Sequence, residues 1–222
     1  MFETKNIVSE FEEYIGTKYF SCIAAKAALA KDQIKCMVAT HMACPADDYS
    51  ILNFLYSFIN NYRSSEEFYH SAAIIFEQPN EINEPMFEEL LWQRLQSLSD
   101  MDAKKFNYDK RVSNDPSSPD FSFSLKEEAF FIIGLHPANS RMTRQFKYPT
   151  IVFNPHVQFE QLREREKYEN LKYAVRKRDV AFSGSINPML QDFGAASETY
   201  QYSGKKYNNE WRCPLNIKHE RY

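Results

Sequence analysis

Residues 71–98, SAAIIFEQPNEINEPMFEELLWQRLQSL, change backbone periodicity halfway along, and that change points to the architecture. SAAIIFE at 71–77 is short and apolar, the pattern of a buried strand. Asn83, Glu84 and Pro85 then set up a helix start, with Pro85 near the first turn, where a missing N–H costs nothing. MFEELLWQRLQSL continues as that helix. The same order precedes it. IKCMVATHM at 34–42 is short and β-branched, and after CPADD an apolar helical face is marked by Ile51, Leu52, Phe54, Leu55, Phe58, Ile59 and Tyr62.

Working outward, Ile7, Val8, Phe11, Tyr14 and Ile15 fall at helical spacing, and CIAAKAALAK is a strong helix former beyond Gly16, so two short helices open the chain. Residues 102–120, DAKKFNYDKRVSNDPSSPD, lack apolar periodicity and form a long loop, a length usually tied to function. FSFS and AFFIIGL are two strands joined by the charged turn LKEE, and TIVFN is a further strand before the helix PHVQFEQLREREKYENLKYAV. Five or six strands interleaved with helices give an α/β or α+β fold, a single domain over residues 1–222 with helices covering a central mixed β-sheet. No internal repeat is visible.

Composition narrows the class. With 43% hydrophobic and 15% aromatic residues, 222 residues bury a sizeable core. No apolar run reaches the roughly 18 residues of a membrane span, and the acidic, amphipathic start MFETKNIVSEFEEY is unlike a secretory signal. A cytoplasmic protein is expected, not bound to a membrane. Cys22, Cys36, Cys44 and Cys213 show no CxxC pairing, so reduced thiols are the expectation. The net charge of −3 hides an asymmetry: residues 1–100 carry 7 basic and 15 acidic side chains, residues 101–222 carry 20 and 15. The carboxyl half therefore suits an anion. Nucleic acid is disfavoured, because Lys and Arg are interleaved with Glu.

The chemistry concentrates in three stretches. GLHPANSR at 134–141 ends a strand with His136, and Gly134 permits close backbone approach. Ser140, Arg141 and Arg144 add donors suited to a carboxylate or phosphate. FNPHVQFEQLRE repeats the theme, placing His156 beside the positive end of a helix dipole, which favours the neutral imidazole that binds a metal. Residues 178–214 are dense in Gly, Asn, Pro, Ser and Tyr yet keep apolar anchors, the look of an ordered functional surface. The ordinary alternatives are a histidine satisfied by a nearby carbonyl and another packed under a helix start. Five glycines leave neither GxGxxG nor a Walker sequence, and neither a nucleophile elbow nor HExxH is present. The charges of RERE at 163–166 read as a solvated helix face.

Six segments in order, FEELLWQRLQSL, DFSFSL, GLHPANSR, PTIVFNPHVQFEQLR, SINPMLQDFG and QYSGKKYNNEWRCP, resemble the YqcI/YcgG family across nearly the whole chain. Some of its members are haem-dependent N-hydroxylases of guanidine groups, among them enzymes of the cycloserine and guanitoxin pathways. The resemblance implies a b-type haem held through iron by His136, with His156 and Cys213 as the other axial candidates, and Ser140, Arg141 and Arg144 near the cofactor and its propionates. It further implies a small guanidino substrate such as arginine, oxygen or peroxide as oxidant, and an electron-donor protein. Asp192 and Glu198 are the carboxylates available to accept the guanidinium, with Tyr200 and Tyr202 close by to stack on the cation; the ordinary alternative is Asp192 capping a turn and Glu198 in solvent. The chain departs from the family pattern at Gln145, Tyr200 and Lys205, each standing where the pattern carries arginine, and Lys does not reproduce a bidentate fork. Two rivals remain: a non-catalytic protein that binds haem or a small anion, and an enzyme without haem that uses Asp192 and Glu198 as acid and base.

Overall fold

The computed structural model describes residues 2–18, 20, 22–67, 69–164, 168–186, 194–208 and 210–219. Helices α1 (Phe2–Gly16) and α2 (Ile23–Ala30) open the chain, followed by β1 (Ile34–His41) and α3 (Asp48–Arg63). Then come β2 (Ser71–Gln78), α4 (Glu84–Asp102), β3 (Phe123–Leu125), β4 (Glu128–Leu135) and β5 (Thr150–Pro155). Described helices α5 (Val157–Glu164), α6 (Tyr168–Ser183) and α7 (Thr199–Tyr202) complete the order. Beyond β5 the sequence suggested one helix ending at Val175, whereas the described spans are two and run on to Ser183.

The sheet runs β1-β2-β5-β4-β3, with β1 parallel to β2 and every other pair antiparallel. It is the mixed, helix-covered α+β sheet expected. β2 is an interior strand and shows why SAAIIFE carries no polar alternation. Ala72, Ile74 and Phe76 face one core with Leu55 of α3 and Leu91 of α4. Ala73 and Ile75 face a second core with Ile7 and Phe11 of α1. A strand covered on both faces has no solvent side to mark with charge. Each such fully buried aliphatic or aromatic side chain contributes about 1.5–3 kcal/mol of transfer free energy.

Local signals fix the ends of the elements. Asn83 caps α4 by accepting from the Met86 N–H at 2.9 Å, and Pro85 occupies the first turn. The β3–β4 hairpin turns on Lys126 and Glu127, both at positive φ, as a tight hairpin requires. The 103–120 loop is anchored by Asp109, which accepts from the Ala129 N–H and from Arg111, while Arg111 also reaches Glu128. No described helix is long and apolar enough to cross a membrane.

Candidate functional site

Strand parity decides which histidine meets which layer. Along β4, Phe131, Ile133 and Leu135 line a cavity covered by α2, α5 and α6. His136, one residue further, turns to the opposite face. There it stacks on Phe87 of α4 at 4.3 Å between ring centroids, and its Nε2 accepts from the Asn139 side-chain amide at 3.1 Å. Burial lowers its pKa to about 4, so the ring is neutral, and Nδ1 has no hydrogen-bond partner. The close approach expected at Gly134 is real. A Cβ there would lie 2.6 Å from the Phe87 ring and 2.9 Å from the Tyr202 carbonyl oxygen.

His156 meets the cavity instead. The β5 residue Asn154 points into it, and so does His156, which immediately precedes α5. Its backbone N–H is fixed by the Ala129 carbonyl at 2.8 Å. Burial, then Arg163, pulls the imidazole down to about 4 and keeps it neutral. Nε2 of His156 stands 3.8 Å from Oε1 of Glu198, and Nδ1 stands 3.9 Å from Oε1 of Glu160.

Glu198, just before α7, is 5% exposed and also lines the cavity. Its Oε2 accepts from Ser122 Oγ at 2.8 Å and from Tyr202 at 3.4 Å. Burial outweighs those bonds and lifts the carboxyl to about 8, so the acid is protonated at neutral pH. Although close enough for an ion pair, His156 and Glu198 therefore meet as two neutral groups. The cavity measures about 240 Å³, and its walls are mostly apolar, including Phe20, Phe159, Leu162 and Val175.

Two arginines line it as well. Arg141 donates to Asp179 Oδ2 and to the Ser185 carbonyl, each at 2.6 Å, while Thr143 holds the other Asp179 oxygen at 3.1 Å. Arg144 donates through one terminal nitrogen to the Gln201 carbonyl at 2.7 Å, and burial lowers its pKa to about 10 without discharging it at neutral pH. Gly204, at φ +83°, lets the chain pass Arg144 and Asn139, where a Cβ would come within 2.9 Å and 2.7 Å.

Of the residues singled out in the sequence, the fold brings His156, Glu198, Arg141 and Arg144 to one cavity. Ser140 is exposed, its N–H donating to Glu84 at 2.8 Å. Cys213 packs with Trp211 on the α4 side, its thiol pushed up to about 12 by burial. Tyr202 is fully buried, and Tyr200 donates to the Trp211 carbonyl. Asp192 lies outside the described residues. Gln145 and Lys205 have other partners, the Asn139 carbonyl and Glu88. Arg163, read in the sequence as part of a solvated face, lines the cavity. Cys22, Lys172 and Asp179 also line it, brought there by α2 and α6 with no motif to announce them.

The lining offers one neutral imidazole, apolar walls and two arginines, each already bonded within the protein. No cluster of three metal-ligating side chains occurs among the described residues, so a protein-only metal cage has no support there. No solved structure matches the chain. It is 28% identical over 209 residues to the uncharacterized protein YqcI of Bacillus subtilis strain 168, a match covering 90% of this chain and 77% of that one. It is 25% identical over 200 residues to the uncharacterized protein YcgG of the same organism, covering 87% and 74%. The sequence profile described as the YqcI/YcgG family matches residues 11–216, and the chain belongs to that family.

Proposed function

We propose that the cavity binds a b-type haem through His156 and that the protein is a haem-dependent N-hydroxylase of a guanidino compound such as arginine. One observation carries the reading. A buried neutral imidazole and a buried protonated carboxyl lie 3.8 Å apart in a mostly apolar cavity also lined by Arg141 and Arg144. When bound, haem supplies oxygen activation: dioxygen with two electrons and two protons, or peroxide alone, places one oxygen atom on a guanidine nitrogen and leaves water.

The protein's own groups divide the remaining tasks. His156 is neutral, so its ring offers a lone pair without first losing a proton. Arg141 is held by Asp179, while Arg144, bonded to a carbonyl, favours an anionic group, whether a propionate or the carboxylate of an amino acid. Glu198 prefers its neutral form. Where the cavity takes a guanidinium without haem, the cation docking on Oε1 favours the carboxylate, and the acid's proton passes to water. Ser122 and Tyr202 hold Oε2 and fix the plane of the carboxyl.

A second reading has its own support. The cavity, at about 240 Å³, lies below the roughly 300–1,000 Å³ usual for drug-sized ligands. It suits an amino-acid-sized guest directly, as in a haem-free enzyme or a carrier. Titrating purified protein, expressed with ample iron and haem precursor, with arginine, agmatine, homoarginine and lysine separates the two. A Soret band that shifts with the guanidino compounds and not with lysine supports the hydroxylase. Colourless protein stabilised by arginine supports the second reading, and equal or absent responses to all four ligands remove guanidine chemistry.

A further inference from the structure

A line of oxidisable rings runs from the cavity wall to the protein surface. Glu198 in that wall accepts from the Tyr202 hydroxyl at 3.4 Å. The Tyr202 ring stacks with Trp92 of α4 at 5.9 Å between centroids, and Trp92 lies 5.9 Å from Trp211. Trp211 stacks on Tyr207 at 3.9 Å and meets Tyr200 at 5.0 Å. Phe residues would fill the same core, yet each station here has a removable electron, and the outer end has a proton acceptor. Trp211 Nε1–H donates to Glu88 Oε1 at 3.1 Å, and Lys205 donates to the other Glu88 oxygen at 2.6 Å. Trp92 is buried, while Trp211 reaches partly to solvent.

We propose that Tyr202, Trp92 and Trp211 form a one-electron relay that carries oxidising equivalents from the cavity to the surface. Its purpose rests on the oxidative chemistry proposed above; its geometry does not. A one-electron oxidant generated in the cavity from dioxygen or peroxide takes an electron from Tyr202 and is reduced by one. The phenolic proton moves to Glu198 Oε2 while that protonated acid gives its own proton to the reduced oxidant. Tyr202 takes the proton back when Trp92 refills the ring, and water reprotonates Glu198. Trp211 in turn refills Trp92 and gives its Nε1 proton to Glu88. The result is one neutral indolyl radical at Trp211 and one protonated Glu88. An external thiolate restores both by supplying one electron as Glu88 returns the proton, and two thiyl radicals then pair as a disulfide. Oxidising equivalents not used on substrate thereby leave the buried site without damaging it.

Pulse radiolysis of the haem-free protein tests the conduit from its outer end. Azidyl radical takes one electron from the accessible indole and becomes azide. In the Tyr200→Phe/Tyr207→Phe protein, where the neighbouring phenols of Trp211 are gone, the indolyl signal is expected to convert to a tyrosyl signal. That conversion should be first order and independent of protein concentration. Adding Trp92→Phe or, as a milder change, Tyr202→Phe should remove it. A double variant with no intramolecular conversion, or conversion that survives both further substitutions, overturns the relay. Because haem is absent throughout, this result is read separately from the fate of the haem assignment.

Discussion

His156 Nε2 and Glu198 Oε1 face each other at 3.8 Å, and burial keeps both uncharged. A histidine and a glutamate at that distance in water would form an ion pair. Here neither charge is solvated well enough to form, so the cavity holds a proton on the acid and a free-base imidazole.

The first consequence is a pH dependence of stability. Glu198 has a folded pKa of about 8 against an ordinary value of 4.5. The native state therefore keeps a proton that the unfolded chain releases. Its contribution to stability is full below pH 4.5 and is lost as the pH rises toward 8, a change on the order of a few kcal/mol. Glu198→Gln removes the group. Urea denaturation at pH 5 and pH 9 should show a smaller difference in midpoint for the variant than for the wild type.

His136 titrates in the opposite sense. Its folded pKa of about 4 lies below the ordinary 6.5, so the native state binds fewer protons than the unfolded chain. Stability from this group is present above pH 6.5 and lost as the pH falls toward 4, by up to about 3 kcal/mol. In His136→Phe the decline between pH 6.5 and 4 should shrink, followed by thermal unfolding.

The Arg141–Asp179 pair is almost dry, with side chains 10% and 8% exposed. Arg141→Ala strands a buried carboxylate and should destabilise by about 3–5 kcal/mol, whereas Arg141→Ala/Asp179→Ala should recover part of that loss. A double-mutant cycle from denaturation curves gives the coupling.

Gly134→Ala places a methyl against the Phe87 ring and the Tyr202 carbonyl. Overpacking of this kind costs about 1–3 kcal/mol. Gly134→Ala/Phe87→Leu should return some of it, and the melting temperatures of the two variants provide the check.

Much of the fold was legible because its signals are local. Asn83 and Pro85 mark the start of α4, and the apolar run from Ala72 to Phe76 is that of a strand with a helix layer on each face. The cavity was legible in part. Counting residues along β4 from Phe131 puts His136 on the side away from Ile133 and Leu135, and counting along β5 puts His156 with Asn154. That parity was available in the sequence, but motif chemistry alone favoured His136. The contributions of Cys22, Arg163 and Asp179 were not legible, because α2, α5 and α6 bring them together from distant segments. Arg163 sits in a run of charges indistinguishable by pattern from a solvent-facing helix.

The central claim concerns which ring holds the iron. The direct measurement is the absorption spectrum of wild type, His156→Ala and His136→Ala, each purified after expression with iron and haem precursor. The account predicts a Soret band in wild type, its loss or strong shift in His156→Ala, and its retention in His136→Ala despite lower stability. An unchanged band in His156→Ala, or a wild-type protein that takes up no haem, would contradict it.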